Sequence, residues 1–565
     1  MKPIFPFLTL LAATSACLHA QQPAAPLAQV VYYHGDILTG DGLSTNHPAR
    51  VTALAVRDGV VVGAGRDGPI LRRWAGAGTE RIDLQGAWVV PGLNDAHVHL
   101  AAGGEEKLSI DLVGSQSLAE MLRRIRNAAK NAAPGAWLRG WGWDHTLWAN
   151  AALPTRSDLD GVTGGHPAIF NRVDGHIAVV NSAALAAAGI TDQTSDPQGG
   201  RFDRDARGHL TGMVREGPAL DMIARKIPAR SLAERKQALR LALADAACHG
   251  LTSVQDYSPG WENFQALEAL EQAGQLPIRV SEWLTFNDGL DTLERERGTH
   301  PRADRMLNLG MLKGFMDGSV GSRTAAMLAP YADDASNRGI ARYTQANLNA
   351  MTVIRAKAGF QIGFHAIGDR ANTQALDAFA AAEAANPAAR QLRFRIEHAQ
   401  VVSPGDFERF HQLGVIASMQ PNHLLSDMRW AKARLGAERT PYSYAWKSFL
   451  DHGVALAFGT DYPVEPITPY RGIYAAVTRR NEAGTMTYEP SQKLTIGQAL
   501  AAYTQGSAYA QFDESWKGRL EIGYVADFTV LDRDLTKIAP QEILRTRVLR
   551  TVVNGKTVAC AAAMP

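Results

Sequence analysis

The sequence predicts an α/β protein built around a closed (β/α)8 barrel, with a small β-sandwich formed by both chain ends and a domain inserted after the first barrel strand. Short apolar runs alternate with helical segments through the middle of the chain, as in βαβ units. β-rich segments with Gly and Asp turns occur only near the two ends. About 150 residues separate the first two apolar runs, which is too many for one crossover connection.

The β-rich ends predict one sandwich domain from residues 27–90 and 520–560. Apolar runs at 30–33, 51–56 and 60–62 surround the Asp-Gly pair at 58–59, which is typical of a hairpin turn. Runs at 527–531 and 548–558 are likewise rich in β-forming residues, with Asn-Gly at 554–555 as the turn. Because this pattern is missing between the two ends, we expect the ends to fold together.

The barrel is predicted from residues 91–107 and 237–519. Continuous apolar runs are typical of parallel strands that are buried on both faces. Eight runs fit this description: 87–93, 251–256, 278–284, 309–317, 361–365, 394–398, 415–420 and 454–461. The intervening residues 108–236, rich in Trp, Gly, Pro and Asp, are predicted to be an inserted domain over the barrel mouth.

Composition and charge exclude several classes of protein. The chain has 565 residues, 46% of them hydrophobic and 20% charged, and a net charge of +2. It is therefore neither disordered nor collagen-like, and it has no basic excess for binding nucleic acid. The cysteines Cys17, Cys248 and Cys560 form no Cys-x-x-Cys pair, so we predict neither a zinc ribbon nor a disulfide scaffold, and Cys248 is expected to be an inert core residue.

The first twenty residues predict a secretory signal. Lys2 precedes an apolar run at 4–13, and small residues lead to a cleavage site after Ala20. The run is too short for a membrane anchor, and we expect no integral membrane segment after its removal. The mature protein is expected in the periplasm. The alternative is a lipoprotein anchored through Cys17.

Histidines and a carboxylate at the ends of the predicted strands indicate a metal centre. His97 and His99 form a His-x-His pair, and alternation along an extended segment puts both rings on one side. This pair alone is weak evidence, although two neutral imidazoles suit a metal such as zinc. His365, His398 and Asp461 end later strands, so all five side chains would converge on the face where barrel active sites lie.

Lys313 lies in an apolar run, where a free ammonium group needs a partner. An ammonium group would also repel a nearby metal cation. Two interpretations remain open: an ion pair with Asp317, or carboxylation of the lysine by CO2 to give an anionic carbamate that bridges two metals.

Several longer motifs identify a family resemblance. Residues 91–99 read Pro-Gly-Leu-Asn-Asp-Ala-His-Val-His, which resembles the entry motif of the metal-dependent amidohydrolase superfamily. The sequence is most similar to the amidohydrolase-3 branch, with its YtcJ-like and N-substituted formamide deformylase-like proteins. The further matching segments are 140–144, 154–160, 172–176, 181–182, 250–256, 317–325, 418–421 and 459–464.

The resemblance implies a barrel beside a β-sandwich and a centre of two divalent ions, expected to be zinc. The ligands that it implies are His97, His99, Lys313 as its carbamate, His365, His398 and Asp461. A water between the ions would lose a proton and attack the substrate carbonyl. Asp461 would act as both ligand and general base, passing the proton to the leaving nitrogen.

Substrate-binding residues are harder to assign. His176 or His423 could donate a hydrogen bond to the developing oxyanion, and each could equally be an ordinary surface or core histidine. Trp143 and Asp144 suggest a lid with an aromatic wall and a polar anchor, or simply the core of the insert. Arg323 would bind a substrate carboxylate or pair with Asp317.

We therefore predict a hydrolase that cleaves a non-peptide amide bond of a small molecule. A deaminase or cyclic amidohydrolase, and a lactonase or esterase, are alternatives on the same site. A non-catalytic binding protein is disfavoured because every implied ligand is present. No nucleic-acid partner is expected, and a homodimer is left open.

Overall fold

The computed structural model describes residues 26–45, 47–172, 177–197, 200–299 and 305–558. The predicted signal segment, Cys17, Cys560 and His176 lie outside these residues. Within the described ranges, no helix has both the length and the apolar character needed to cross a bilayer.

Both chain ends contribute strands to one sheet. The N-terminal strands are β1 (Val30–Tyr33), β2 (Asp36–Leu38), β3 (Arg50–Val51), β4 (Ala53–Arg57), β5 (Val60–Gly65), β6 (Glu80–Asp83) and β7 (Trp88–Pro91), and the C-terminal ones are β22 (Phe528–Leu531), β23 (Val548–Val553) and β24 (Lys556–Val558). A six-stranded sheet has the order β24-β23-β22-β7-β2-β3, so that β22 pairs with β7, β7 with β2, and β2 with β3. A four-stranded sheet has the order β5-β4-β1-β6. The predicted joint sheet is confirmed.

The barrel is an eight-stranded, all-parallel sheet in the order β21-β20-β19-β18-β17-β16-β15-β8, which confirms the predicted fold. Its strands are β8 (Leu93–Val98), β15 (Leu251–Asp256), β16 (Arg279–Thr285), β17 (Leu307–Phe315), β18 (Ile362–Ala366), β19 (Arg395–His398), β20 (Ile416–Met419) and β21 (Leu456–Phe458). The segment after β21 completes the ring beside β8, because the Asp461 N–H donates to His97 O at 2.8 Å and the His99 N–H to Tyr462 O at 2.7 Å.

The first predicted barrel strand, 87–93, is wrong in position. Its apolar half, Trp88–Pro91, belongs to the six-stranded sheet, and the barrel strand is the more polar Leu93–Val98. Gly92 separates the two, packed so closely that a Cβ there would lie 2.2 Å from Thr252 Oγ1. All six residues of β8 are buried although three are polar or ionisable, so hydrophobic patterning could not identify this strand.

Helices cover the barrel and its connections. Those of the barrel region include α2 (Leu100–Lys107), α7 (Leu232–Cys248), α8 (Trp261–Gln272), α9 (Leu290–Thr299), α10 (Gln345–Lys357), α11 (Asp369–Ala385), α12 (Asp406–Leu413), α13 (Asn422–Asp427), α14 (Ala431–Arg439), α15 (Trp446–Asp451), α16 (Pro469–Thr478), α17 (Ile496–Ala501) and α18 (Ser507–Ala510), while α1 (Asp67–Trp74) lies among the N-terminal strands. Cys248 ends α7, is only partly buried and is disulfide-bonded, so its prediction as an inert core residue is wrong.

The inserted segment forms its own sheet with two apolar faces. The strand order is β13-β14-β12-β11-β10-β9. Its elements are β9 (Ile110–Asp111), α3 (Leu118–Ala129), β10 (Leu138–Trp143), α4 (Arg156–Asp160), β11 (Ala168–Arg172), β12 (Ile177–Val180), α5 (Ser182–Ala188), β13 (Arg201–Arg204), β14 (Leu210–Arg215) and α6 (Gly217–Ala224). The exact domain boundaries stay predictions.

Candidate metal centre

Four histidines meet at the carboxyl ends of the barrel strands. His97 is the last residue but one of β8, His99 follows that strand, His365 is in β18 and His398 ends β19. The His97 ring centroid lies 5.3 Å from that of His99 and 5.0 Å from that of His398, and the His365 and His398 centroids are 4.5 Å apart. The structure therefore brings the predicted histidines into one cluster.

Asp461 lies between these rings. Its Oδ1 is 3.1 Å from His99 Nε2 and 3.5 Å from His97 Nε2, and its Oδ2 is 3.1 Å from His423 Nε2. Ligand atoms around a tetrahedral ion bonded at about 2.1 Å lie about 3.4 Å apart, so this spacing fits a shared cation. A second group of potential ligands consists of His398, His423 and Asp461.

Left-handed backbone conformations turn two of these side chains toward the centre. His398 has φ 74° and Asp461 has φ 62°, values that are uncommon for residues other than glycine. Consecutive strand residues normally point to opposite faces, yet His398 and its neighbour Glu397 both reach this site. Such strain is retained where the surrounding structure holds it, often at functional sites.

Hydrogen bonds fix which ring nitrogen of each histidine is free. The Nδ1–H of His97 donates to Glu397 Oε2 at 2.8 Å, and that of His99 donates to Tyr257 O at 2.7 Å, which leaves both Nε2 atoms as acceptors. The Nε2–H of His365 donates to Gly318 O at 3.1 Å, which leaves its Nδ1. Partners of this kind orient metal-binding imidazoles in proteins.

Burial keeps the imidazoles of His97, His365 and His398 neutral by lowering the pKa of each. Burial and the nearby Lys313 charge lower the pKa of His97 well below its ordinary value and lower that of His365 to about 3. Burial and His365 likewise lower the pKa of His398. Burial alone raises the pKa of the Asp461 carboxyl, but the surrounding histidines outweigh it and hold the pKa well below its usual range. Neutral imidazoles and an ionised carboxylate are what a divalent metal requires.

Lys313 is directed at the cluster rather than at Asp317. Its Nζ donates to His97 Nε2 at 2.9 Å, and the side chain is 1% exposed. Burial lowers the pKa of Lys313 to about 8. Asp317 instead accepts backbone N–H groups from Ala326, Ile367 and Gly368, so the ion pair considered from the sequence is wrong.

Glu397 and Arg395 are buried residues of this site that the sequence analysis missed. Glu397 accepts from His97 Nδ1 and from Arg395 Nε at 2.8 Å each, and both Glu397 and Arg395 are at most 1% exposed. Arg395 Nη2 also donates to Ala96 O and Ser418 Oγ. The sequence did indicate these residues, because two charged side chains in a short buried strand require partners. The same argument drew attention to Lys313.

His423 is the second residue of α13, the helix after β20, and donates from Nε2 to Asp461 Oδ2. Burial alone lowers the pKa of His423, but the hydrogen bond and charge of Asp461 outweigh it and raise that pKa to about 9. His423 is thus a charged donor beside the cluster, and its predicted role toward an oxyanion stays a prediction.

The remaining substrate candidates lie elsewhere. Trp143 is fully buried in the core of the insert and donates to Phe170 O, so of its two interpretations the structure favours the core of the insert over a pocket wall. Asp144 pairs with Arg172 at 2.6 Å. Arg323 pairs with Asp333 at 2.8 Å rather than with Asp317.

A cavity of about 580 Å³ separates the insert from the barrel loop after β17. Arg172, Ile177 and Arg215 line it from the insert, and Ser322 and Thr324 line it from the loop. The loop also supplies Gly318, whose carbonyl accepts from His365. The cavity thus lies between the insert and this loop, and the described residues that line it are not those of the histidine cluster.

Comparison with known proteins gives a consistent result. Residues 80–559 match the Amidohydrolase family. The chain is 33% identical over 517 residues to the putative amidohydrolase YtcJ of Bacillus subtilis, covering 90% of this chain and 96% of that protein. It is 28% identical to the N-substituted formamide deformylase of Arthrobacter pascens, covering 86% and 91%. A crystal structure of an uncharacterized metal-dependent hydrolase from Pyrococcus furiosus has 31% identity and a TM-score of 0.75, covering 90% and 100%.

Proposed function

Because this chain belongs to the amidohydrolase family, we propose that it hydrolyses a non-peptide amide bond of a small molecule at a centre of two divalent ions. The observation that carries the proposal is the position of Asp461, whose two oxygens face His99 and His423 at 3.1 Å each. Hydrolysis of carbon–nitrogen bonds is the activity of the family, and the name of the Arthrobacter relative points to N-substituted amides as substrates.

We propose that His97, His99, His365, His398 and Asp461 hold the ions, together with Lys313 as a carbamate. Bound divalent ions lower the pKa of water so that hydroxide is available near neutral pH. Carboxylation would convert the Lys313 ammonium group, which now faces His97 Nε2, into an anionic ligand. Zinc is the proposed metal because imidazole nitrogens dominate the ligand set.

The residues around the centre would supply proton transfer. Asp461 is ionised and accepts from His423, so its carboxylate can take a proton from the attacking water and deliver it to the leaving nitrogen. His423 is the nearest charged donor to that carboxylate and can stabilise negative charge next to it. Glu397 and Arg395 hold His97 in place from behind.

Metal analysis combined with a substrate panel tests this function. We expect about two divalent ions per chain, and we expect turnover of at least one member of a panel of N-acyl amino acids and formamides that chelation abolishes and zinc restores. Lactones in the same panel test the esterase alternative. A metal-free protein with full activity, or a metal-replete protein that cleaves only lactones, would contradict the proposal.

We also propose that the protein is exported. The signal-like segment at 1–20 supports this, and so does the disulfide at Cys248, because disulfides persist mainly in oxidising compartments. Fractionation of cells that express the full chain, with mass spectrometry of the mature N-terminus, distinguishes cleavage after Ala20 from a lipidated Cys17.

A further inference from the structure

One aromatic side chain, Phe315, contacts both the histidine cluster and a guanidinium group. Phe315 ends β17, two residues after Lys313. Its ring centroid lies 5.3 Å from that of His365 and 5.0 Å from Lys313 Nζ, and Arg342 Cζ lies 5.7 Å from the same centroid. Arg342 is therefore next to the candidate metal centre, at the carboxyl end of the barrel.

The backbone around Arg342 is held in place. The Arg342 N–H donates to Met316 O at 2.9 Å, directly after β17, and the Oη–H of the next residue, Tyr343, donates to Asn287 Oδ1 at 2.6 Å. These bonds fix this end of the loop against the end of the strand. Because the main chain is anchored there, a ligand of the guanidinium group has to order the side chain alone.

The guanidinium group of Arg342 has no hydrogen-bond or ion-pair partner among the residues that the structure describes. The loop after β17 contains two other arginines, and both are bonded to the protein. Arg323 pairs with Asp333 at 2.8 Å, and Arg338 Nη1 donates to Leu328 O at 3.2 Å. Arg342 is also exposed, so an anion in solution can reach it.

The position of Arg342 fits the length of a small substrate. Because both distances are measured from the Phe315 centroid, the guanidinium group is no farther from the His365 ring than the two distances together. In an N-acyl amino acid the carboxylate carbon lies about 3.5 Å from the acyl carbon, and a charge-assisted hydrogen bond adds about 2.8 Å. The carboxylate of a substrate whose acyl carbon is at the centre is therefore within reach of Arg342.

We propose that Arg342 binds a substrate carboxylate and thereby selects amides with a carboxylate close to the acyl carbon, as in N-acyl amino acids. This inference rests on the proposed function and narrows its substrate class. The N–H donors of a guanidinium group match the two oxygens of a carboxylate. The sequence suggested Arg323 for this role, but Asp333 already pairs with Arg323. A neutral amide makes no such bond to Arg342.

Two matched hydroxamates test the inference without a known substrate. Succinic monohydroxamic acid has two carbon atoms between its hydroxamate carbonyl and a carboxylate, the same spacing as in an N-acyl amino acid. Butanohydroxamic acid has a methyl group in place of the carboxylate. Metal-loaded protein is titrated with each compound by calorimetry. We expect the wild type to bind the first about tenfold more tightly, or better, because a hydrogen bond between charged groups is gained.

Substitutions at two arginines locate this preference. Arg342→Met keeps a long side chain without the charge and should lose the preference, whereas Arg342→Lys should keep part of it. Arg297→Met is the matched control, because Arg297 also lies over an aromatic ring, 3.9 Å from the centroid of Phe360, but near the amino end of β18. This control should keep the full preference. A preference that survives in Arg342→Met, or a metal-loaded wild type without one, would overturn the inference while the proposed hydrolase remains.

The kinetic form of the test compares an N-acyl amino acid from the substrate panel with the N-acyl amine that lacks only its carboxylate. Arg342→Met should raise KM for the amino acid derivative with little change in kcat, and lower its kcat/KM about tenfold more than that of the amine. Equal losses on both substrates would overturn the inference. Wild-type protein that binds no metal and hydrolyses neither substrate would overturn the proposed function itself.

Discussion

His97 and Glu397 form a fully buried hydrogen bond, with Nδ1 of the imidazole 2.8 Å from Oε2 of the carboxylate. The carboxylate fixes the tautomer of His97 and directs its Nε2 toward Asp461. Arg395 neutralises Glu397 from the other side through Nε. The three side chains thus form a chain that runs from the barrel interior to the candidate metal centre.

Replacing Glu397 should weaken metal binding without removing any direct ligand. Glu397→Gln keeps the shape but loses the charge that fixes the tautomer of His97, and changes of this kind typically cost 10–100-fold in metal affinity, so we expect a loss of about that size. Competition with a chelator measures it, in protein whose circular dichroism matches wild type. Glu408→Gln, on an exposed position, is the control. Unchanged affinity would show that His97 needs no such partner.

Replacing Lys313 tests whether this lysine is carboxylated. Lys313→Ala should lose most of the bound metal and the activity, and a short carboxylate such as propionate should restore part of both by entering the space left by the side chain. Elemental analysis and turnover provide the measurements, and Lys447→Ala, which removes an exposed ion pair with Asp451, is the control. Full metal occupancy in Lys313→Ala, or a bare lysine in high-resolution density of metal-replete protein, would contradict carboxylation.

Asp317 is predicted to be a structural carboxylate. It is 1% exposed and accepts three backbone N–H groups, from Ala326 at 2.8 Å, Ile367 at 3.1 Å and Gly368 at 2.8 Å. Asp317→Ala leaves these donors buried and unpaired, which should destabilise the protein by about 3 kcal/mol or more. We expect a clearly lower Tm in metal-free protein.

The comparison for this prediction is Asp333→Ala. Asp333 bonds Arg323 near the surface, where an ion pair contributes about 1 kcal/mol or less. Similar melting temperatures for the two variants would show that the backbone near Ile367 finds other partners when the carboxylate is removed.

The sequence predicts the ligands of this site better than their surroundings. His365 and Asp461 can be predicted as ligands because polar residues at the ends of apolar runs converge in a parallel barrel. Glu397 was missed because strict alternation places it opposite His398, and only the left-handed backbone at His398 brings both to the centre. That backbone conformation depends on tertiary contacts, so the local sequence pattern does not predict it.

The errors in the fold have the same origin. The run 87–93 has the hydrophobicity of a barrel strand, whereas the real strand, Leu93–Val98, is polar because it carries the site. From the sequence, Trp143 could line a substrate site or pack in a core, and in the structure it is fully buried in the core of the insert. Hydrophobic patterning therefore fails at positions where a residue serves the chemistry of the site rather than the packing of the core.

Asp461 is expected to act both as a ligand and as a base. Its Oδ1 faces His99 and its Oδ2 accepts from His423, so one oxygen can hold metal while the other exchanges a proton. Asp461→Asn keeps the shape and one oxygen ligand but removes the basic group. We expect this variant to retain most of its metal and to lose a factor of about 10² or more in kcat, the usual contribution of general acid–base catalysis. Metal analysis and steady-state kinetics are compared with those of Asp451→Asn, an exposed control. Near-normal turnover by fully metallated Asp461→Asn would assign proton transfer to another group, with His423 the nearest candidate.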